Sequence, residues 1–474
     1  MKNLLQWFIL LILFAIFFPI KAQWKQHIIE PFIDRSAFTA CGDLDFDGDL
    51  DAVATSWGDG YIAWYRNNLP DTIWTKDTID NNMGSIWGLV IEDVEGNDTL
   101  DIVTGAGGNT DDVIWYKNLG GMPIEWEKIW IDSDLNGANG AYVEDIDGDG
   151  DMDMAVTAHT TNKVVWYEND GGNPITWQKH TIDSYLGRPG SRLVVDIDND
   201  GNMDVVSCGQ VADSVVWYKN EGGIPITWTR LTIDSALDGA YNLDVADIDA
   251  DNDSDVVATG NEANIIVWYE NLGGMKIGWS KHTIDSSLNR AFGVEIADVD
   301  LDLDLDVLAT GRNDNDVVWY ENDLPNTNWE KHFIDSNFLG PRGITAADID
   351  NDGDLDAIAN GYDASIIKWY ENPIKPDDVQ YEANVIPDKY SLSQNYPNPF
   401  NPITNIKYDI PERSVILLKI YDVLGSKVGI IVNEEKPTGT YEITWNAEKF
   451  PSGIYFYRLQ AGDFIQTKKM ILLK

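Results

Sequence analysis

Aspartate stands at every second position through Asp43, Asp45, Asp47, Asp49 and Asp51. The alternation returns in Asp145, Asp147, Asp149, Asp151 and Asp153, and in Asp247, Asp249, Asp251, Asp253 and Asp255. It returns again in Asp298, Asp300, Asp302, Asp304 and Asp306, and in Asp348, Asp350, Asp352, Asp354 and Asp356. One more copy carries a single amide: Asp196, Asp198, Asp200, Asn202 and Asp204. In an extended chain alternate side chains share a face, so the first carboxylates of each run converge. Charges that close repel strongly unless a cation sits among them. Hard oxygen donors in this number suit Ca²⁺, whose shell takes about 6–8 oxygens. By analogy with other Asp-rich loops, the expected ligands are the side chains at offsets 0, 2, 4 and 8 from the first Asp and the backbone carbonyl at offset 6. Gly48, Gly150, Gly201 and Gly353 fall at offset 5, where such a loop turns sharply.

The run is not an EF-hand, which needs a bidentate Glu at its twelfth position and a helix on each side. The twelfth position here is Ala54, Val156, Ala258 or Ala359. The competing reading is a solvated Asp-rich turn; six well-formed copies at fixed spacing favour the metal. A further copy is degraded to Asp93, Glu95, Asn97, Thr99 and Asp101, and binds weakly or not at all.

The elements that must hold these loops follow from their period. The starts Asp43, Asp93, Asp145, Asp196, Asp247, Asp298 and Asp348 are 50 to 52 residues apart, which marks an array of one structural unit. Each unit has four strand-like runs. Two flank the Asp loop, as in Gly343–Ala347 and Ala357–Ala359. A third ends in Trp-Tyr, as at Trp166 and Trp319, and a fourth opens with Trp, as at Trp177 and Trp279. Seven units of four strands predict an all-β fold, a seven-bladed β-propeller over residues 23–372. The array opens with a fourth-type run at Trp24 and ends with a third-type run at Ile366–Tyr370. The N-terminal strand is therefore expected to complete the last blade and remove an exposed edge. Packing between blades explains the two Trp columns, and His27, His180, His282 and His332 share one column of the fourth run, where edge or packing roles outweigh metal ligation.

The repeat breaks its symmetry on the face opposite the Asp loops. Six residues before each first Asp stand Ala37, Trp87, Asn139, Gly190, Tyr241, Phe292 and Arg342, and two residues earlier come Arg35, Arg188 and Arg290. Trp57 lies in the loop neighbouring Trp87. Inter-blade packing and charge balancing are one reading of these residues. The other is a ligand rim of Trp57, Trp87, Arg188, Arg290 and Arg342, in which the rings suit sugars and the guanidinium groups suit carboxylates.

Both ends of the chain have their own character. Residues 1–22 read as a signal peptide, with Lys2, an apolar run from Leu4 to Ile20, and Ala22 before the cut. Residues 373–390 form a polar, proline-bearing linker. Residues 391–474 lose the period and carry short strands of a small Ig-like β-sandwich, with a hairpin turn at Ala461–Asp463. From Lys389 onward 11 Lys and Arg meet 8 Asp and Glu, a net of +3; the chain as a whole carries −46, which leaves −49 on the rest. That balance excludes nucleic acid as a partner. Cys41 and Cys208 lie three repeats apart in small, buried columns, so no disulfide is expected. No zinc motif, nucleophile elbow or phosphate loop is present.

With its position between the two inner strands and its period, the D-x-D-x-D-G-D-x-D loop resembles the FG-GAP/VCBS repeats of integrin α-chain propellers and bacterial surface proteins. In that family the loop binds Ca²⁺ on one face of the propeller. The Phe-Gly and Gly-Ala-Pro signatures are not evident, so integrin-type ligand recognition is not carried over. The tail is similar to the type A C-terminal sorting domain of the bacterial type IX secretion system, through Tyr396–Pro402, Ile420–Gly425, Gly453–Leu459 and Lys469–Lys474. That resemblance implies engagement of the type IX machinery, passage across the outer membrane, and attachment to the cell surface or release. The expected function is a calcium-binding module for glycan or protein, with no stable transmembrane span once the signal is removed. The alternatives are a calcium-dependent, lyase-like polysaccharide-degrading enzyme and a purely structural surface protein.

Overall fold

The structure, a computed structural model, describes residues 23–374 and 389–473 apart from short gaps at 108–110, 275, 325–327, 396, 412, 422, 424–425, 437–438, 448 and 463. The signal at 1–22 and most of the linker lie outside the described residues. The chain divides into two compact units between residues 379 and 380, and each is described by itself.

The first unit is a β-propeller. Among its described residues are seven four-stranded antiparallel sheets. The first contains Ser36–Gly42, Asp51–Ser56, Tyr61–Asn68 and Asp71–Asp80 in that order. The innermost strands touch in sequence round a ring, and Pro341–Ala347 returns to Ser36–Gly42. The closure foreseen from the order of the runs is present: Lys25–Glu30 pairs antiparallel with Ile366–Glu371, with His27 opposite Trp369.

Sequence explains which strand lies where. The second strand of each blade is a short run of small and β-branched residues, such as Asp255–Gly260, and every residue in it is buried. Such a strand suits the centre of a stack covered on both faces. The fourth strand mixes Lys, His and Thr and lies half-exposed at the outer edge, as in Trp279–Asp285. The apolar clusters form between blades rather than within them. Ala52, Ala54 and Tyr65 of the first blade pack with Ile358, Ile367 and Trp369 of the last.

Two polar contacts recur across the blade junctions. The tyrosine of each Trp-Tyr pair donates to a carboxylate ending the fourth strand of the preceding blade: Tyr116 to Asp80 at 2.8 Å, Tyr269 to Asp234 at 2.7 Å, Tyr320 to Asp285 at 2.6 Å. A lysine of its own fourth strand joins the same carboxylate, as Lys281 does at 2.6 Å. The asparagine two residues after that tyrosine donates its amide to a loop carbonyl of the preceding blade, Asn322 to Ile248 at 3.2 Å. These pairs satisfy buried polar groups and fix each blade against its neighbours.

The second unit packs Ser391–Leu392, Ile403–Ile410 and Gly439–Asn446 in one sheet, and Lys427–Lys436, Ser414–Tyr421, Gly453–Ala461 and Phe464–Leu472 in another. Ile406, Tyr408, Leu418, Ile420, Tyr457 and Leu459 share a core between them. The hairpin at Gly462 closes with Ala461 opposite Phe464. Both cysteines are free thiols.

Candidate metal loops and the axial face

Each Asp loop is shaped by its own carboxylates. The Asp at offset 0 accepts the N–H groups of offsets 4 and 5: Asp47 and Gly48 to Asp43, both at 3.1 Å, and Asp251 and Asn252 to Asp247, both at 2.9 Å. The chain turns left-handed twice. Gly48, Gly150, Gly201 and Gly353 at offset 5 have φ of 88° to 96°, and offset 3 is also positive, including Phe46 at 61° and Leu301 at 65°. This second left-handed position was not foreseen.

The folded loops bring carboxylate oxygens together. One oxygen from each of Asp43, Asp45 and Asp47 lies within 4.8 Å of the others, and the same holds for Asp145, Asp147 and Asp153, for Asp196, Asp198 and Asp204, and for Asp247, Asp249 and Asp251. Both oxygens of Asp45 are buried with no well-formed hydrogen bond, as a carboxylate turned toward a cation would be. Burial, then the neighbouring carboxylates, push Asp249 up to about 6 and Asp300 to about 7. A group of hard, undercompensated oxygens of this kind fits Ca²⁺. The Asp at offset 8 plays a second part as an anchor: Asp204 accepts from the Asn220 N–H at 2.7 Å and the Trp217 indole at 2.8 Å. The offset 6 side chain is engaged elsewhere in two loops, where Asp49 and Asp304 accept the N–H groups of Leu69 and Leu324 at 3.0 Å.

The loops are not equivalent, because the residue following Trp-Tyr reaches over them. In the fourth loop Lys219 bonds Asp198 and also Asp200, the latter at 2.6 Å. In the second, Lys117 holds Glu95 at 2.6 Å. In the first, Arg66 acts on Asp45 through its charge and pairs with Asp77 at 3.3 Å. The third, fifth, sixth and seventh blades place Glu168, Glu270, Glu321 and Glu371 there instead. Each glutamate meets the fourth-strand histidine, at 2.7 Å for His180, His282 and His332 and 3.2 Å for His27. Those histidines stack on the Trp of the third strand, with ring centroids 4.2–4.6 Å apart. Three loops thus have a built-in cation and four have an extra acid.

At the opposite ends of the second strands the predicted rim residues partly converge. Trp57 and Trp87 meet edge to face at 6.0 Å, Tyr362 lies 6.2 Å from Trp57, and His159 lies 5.1 Å from Trp87. Arg188 lines a small cavity with Trp87, Asn139, His159, Gln210 and Tyr241. Burial, then the Arg188 charge, lower the His159 pKa, which favours the neutral imidazole. Arg290 lies apart from the two tryptophans, over the Phe292 ring at 5.7 Å. Arg342 was expected at an open rim but is only 7% exposed. Five rings, those of Phe38, Trp87, Tyr241, Phe292 and Tyr362, surround its guanidinium at 5.4–5.9 Å, and it donates to the Tyr241 hydroxyl. Burying an ion costs several kcal/mol, and a ring face returns about 0.5–2 kcal/mol at best. Tyr362 and Arg312 were missed, although they occupy the same column as Trp57 and His159.

The sheets form a β-propeller, part of which matches the FG-GAP-like repeat. Matches to that repeat span residues 145–207, 196–258, 247–309 and 298–359. Residues 394–473 match the secretion system C-terminal sorting domain, so the chain is addressed through the type IX secretion system to the cell surface or the medium. No curated protein matches the chain. Among solved structures, BBS1N in complex with ARL6DN is similar at 10% identity and a TM-score of 0.50, over 75% of this chain and 98% of that one. PorZ, a surface component of the type IX secretion system of Porphyromonas gingivalis, is similar at 13% identity and a TM-score of 0.43, over 92% of this chain. The match spans 60% of PorZ's own length. An auxiliary nutrient binding protein from Bacteroides ovatus gives 10% identity and 0.41, over 73% of this chain and 72% of that one. At such identities the likeness concerns the fold alone. No helix among the described residues is long and apolar enough to cross a membrane.

Proposed function

We propose that this protein is a calcium-stabilised surface propeller that binds an extracellular glycan on the face opposite its Asp loops. The observation that carries the reading is the half-buried aromatic group of Trp57, Trp87 and Tyr362, whose rings meet on one face of the propeller. Flat, partly exposed rings suit sugar faces. Ca²⁺ belongs to the Asp loops, first of all to the third, fifth, sixth and seventh, where the overlying residue adds an acid. An ion that binds only the folded state stabilises it by about 2.7 kcal/mol per site at a hundredfold excess over Kd. A glycan screen on the full chain with Ca²⁺ tests the reading. Wild type should retain a glycan that Trp87→Ala releases while melting normally, and equal retention would refute it.

One observation favours a second reading, cleavage of the glycan by β-elimination. His159, held neutral, shares its cavity with Arg188 and Tyr241. In such a reaction a base removes the proton beside a uronate carboxyl while a cation neutralises the carboxylate. Appearance of an unsaturated uronate, lost in His159→Ala, would establish it; unchanged polymer length would exclude it.

A further inference from the structure

We propose that Arg342 anchors a carboxylate subsite at the centre of the aromatic face, so that the ligand is a polysaccharide carrying uronate groups. The inference rests on the glycan-binding reading above and specifies its chemistry.

The chain has 79 Asp and Glu against 33 Lys and Arg. Counter-charges are plentiful, so a cation without one is informative. The fold supplies them where a cation is structural: Lys128, Lys179 and Lys281 each meet a carboxylate at 2.6 Å. Arg312, on the aromatic face, is held by both oxygens of Asp363 at 3.1–3.2 Å. Arg342 has no such partner among the described residues. It is more than nine-tenths buried, its Nε lacks any hydrogen bond, and its contact is the neutral Tyr241 hydroxyl. The channel carboxylates are engaged elsewhere, since Asp244 accepts the Ile296 N–H at 2.8 Å and Glu295 the Ala346 N–H at 3.0 Å.

Three more arginines on this face, Arg35, Arg188 and Arg290, also lack an ion pair among the described residues. Their backbones are left-handed, with φ of 53°, 57° and 55°. The equivalent positions in three other blades are Gly137, Gly239 and Gly340, also at positive φ. A side chain has been kept where the backbone favours glycine. The guanidinium fork matches a carboxylate with two parallel hydrogen bonds. Trp87 and Tyr241 flank Arg342 and also line the cavity that Arg188 borders, where Asn139 and Gln210 offer amides to sugar hydroxyls.

The experiment is calorimetry on the full chain with galacturonate oligomers and with their neutral methyl esters. Wild type should prefer the acid by about tenfold or more, the range of a charge-assisted pair. Arg342→Gln should bind acid and ester alike, and Arg342→Lys should keep part of the preference. Arg188 is exposed, so Arg188→Gln keeps the test open if the buried variants do not fold; it should reduce the preference. Equal binding of acid and ester by wild type overturns the subsite, as does an undiminished preference in a normally melting Arg342→Gln. Binding of neutral glycans but not of acids overturns the subsite and leaves the glycan reading standing. Failure of every glycan to bind the folded wild type overturns that reading itself.

Discussion

Replacing Lys219 should tighten calcium binding at the fourth loop. The Lys219 ammonium bridges Asp198 and Asp200, and it stands where four other blades carry glutamate. Lys219→Gln removes one positive charge. At a cation–cation separation of about 5 Å, the repulsion relieved against a divalent ion is about 1.7 kcal/mol in a water-like medium and about 6.6 kcal/mol at an effective dielectric of 20. The Lys219 and Asp198 side chains are 18% and 17% exposed, so the true value lies between, and even the lower figure is about a tenfold gain in affinity. Lys219→Glu, which reproduces the column of the other four blades, should gain more. The same change removes the internal counter-ion, so the variant should melt below wild type in chelator and recover in Ca²⁺. Calcium titration by calorimetry, with melts in Ca²⁺ and in EGTA, reads both effects. Unchanged stoichiometry, affinity and chelator melting would show that the lysine does not govern this loop.

Leu303 is 70% exposed at φ 79°, where four of the other loops use glycine; Leu303→Gly should raise stability by about 0.5–1 kcal/mol, read as a higher melting temperature. Glu295 is pushed up to about 8 by burial and then by Asp244. A carboxyl raised in the folded state stabilises fully below its unfolded pKa, near 4, and loses that contribution as pH climbs through about 8. Glu295→Gln keeps the acceptor for the Ala346 N–H and should flatten this dependence, gaining about 2 kcal/mol over wild type at alkaline pH once the partial exposure of Glu295 is allowed for; parallel pH–melting curves would refute it. Deleting residues 391–474 removes a separate unit and should leave a folded propeller that fails to reach the surface. Fractionation that finds it outside the cell would overturn the export role.

What was legible in the sequence follows from how repeats encode structure. Equivalent positions reveal the strand types, the Asp loops, and the closure of Ile366–Glu371 by Lys25–Glu30, because each is a statement about order along the chain. Contacts between blades are a different kind of fact. The Tyr269–Asp234 bond spans 35 residues, and the column of Ile-Asp endings was visible, but nothing in a period says which blade an edge carboxylate will face. Lys219 reads as a solvent-facing residue between Tyr218 and Asn220 until the loop before it folds under its ammonium. Arg342 reads as a rim residue because one column cannot show that Phe38, Tyr241, Phe292 and Tyr362 come from three further blades and its own to enclose it. The tail strand Lys427–Lys436 escaped notice because Gly429 and a run of charge interrupt its alternation.

The departures from symmetry separate into two kinds on physical grounds. At the Asp loops a change at one position is answered at another: Glu with His in four blades, Arg66 with Asp77 in the first, Lys219 with its own carboxylates in the fourth. Charge is balanced inside the protein, and such changes tune the frame. On the aromatic face Arg312 is answered by Asp363, but four other arginines are not. Arg35, Arg188, Arg290 and Arg342 form no ion pair among the described residues of a strongly acidic chain, and three of them stand at backbone angles that favour glycine. A buried uncompensated charge, as at Arg342, and a left-handed backbone, as at the other three, each lower stability. On the proposed reading, residues that lower stability in either way are kept for the ligand rather than for the fold.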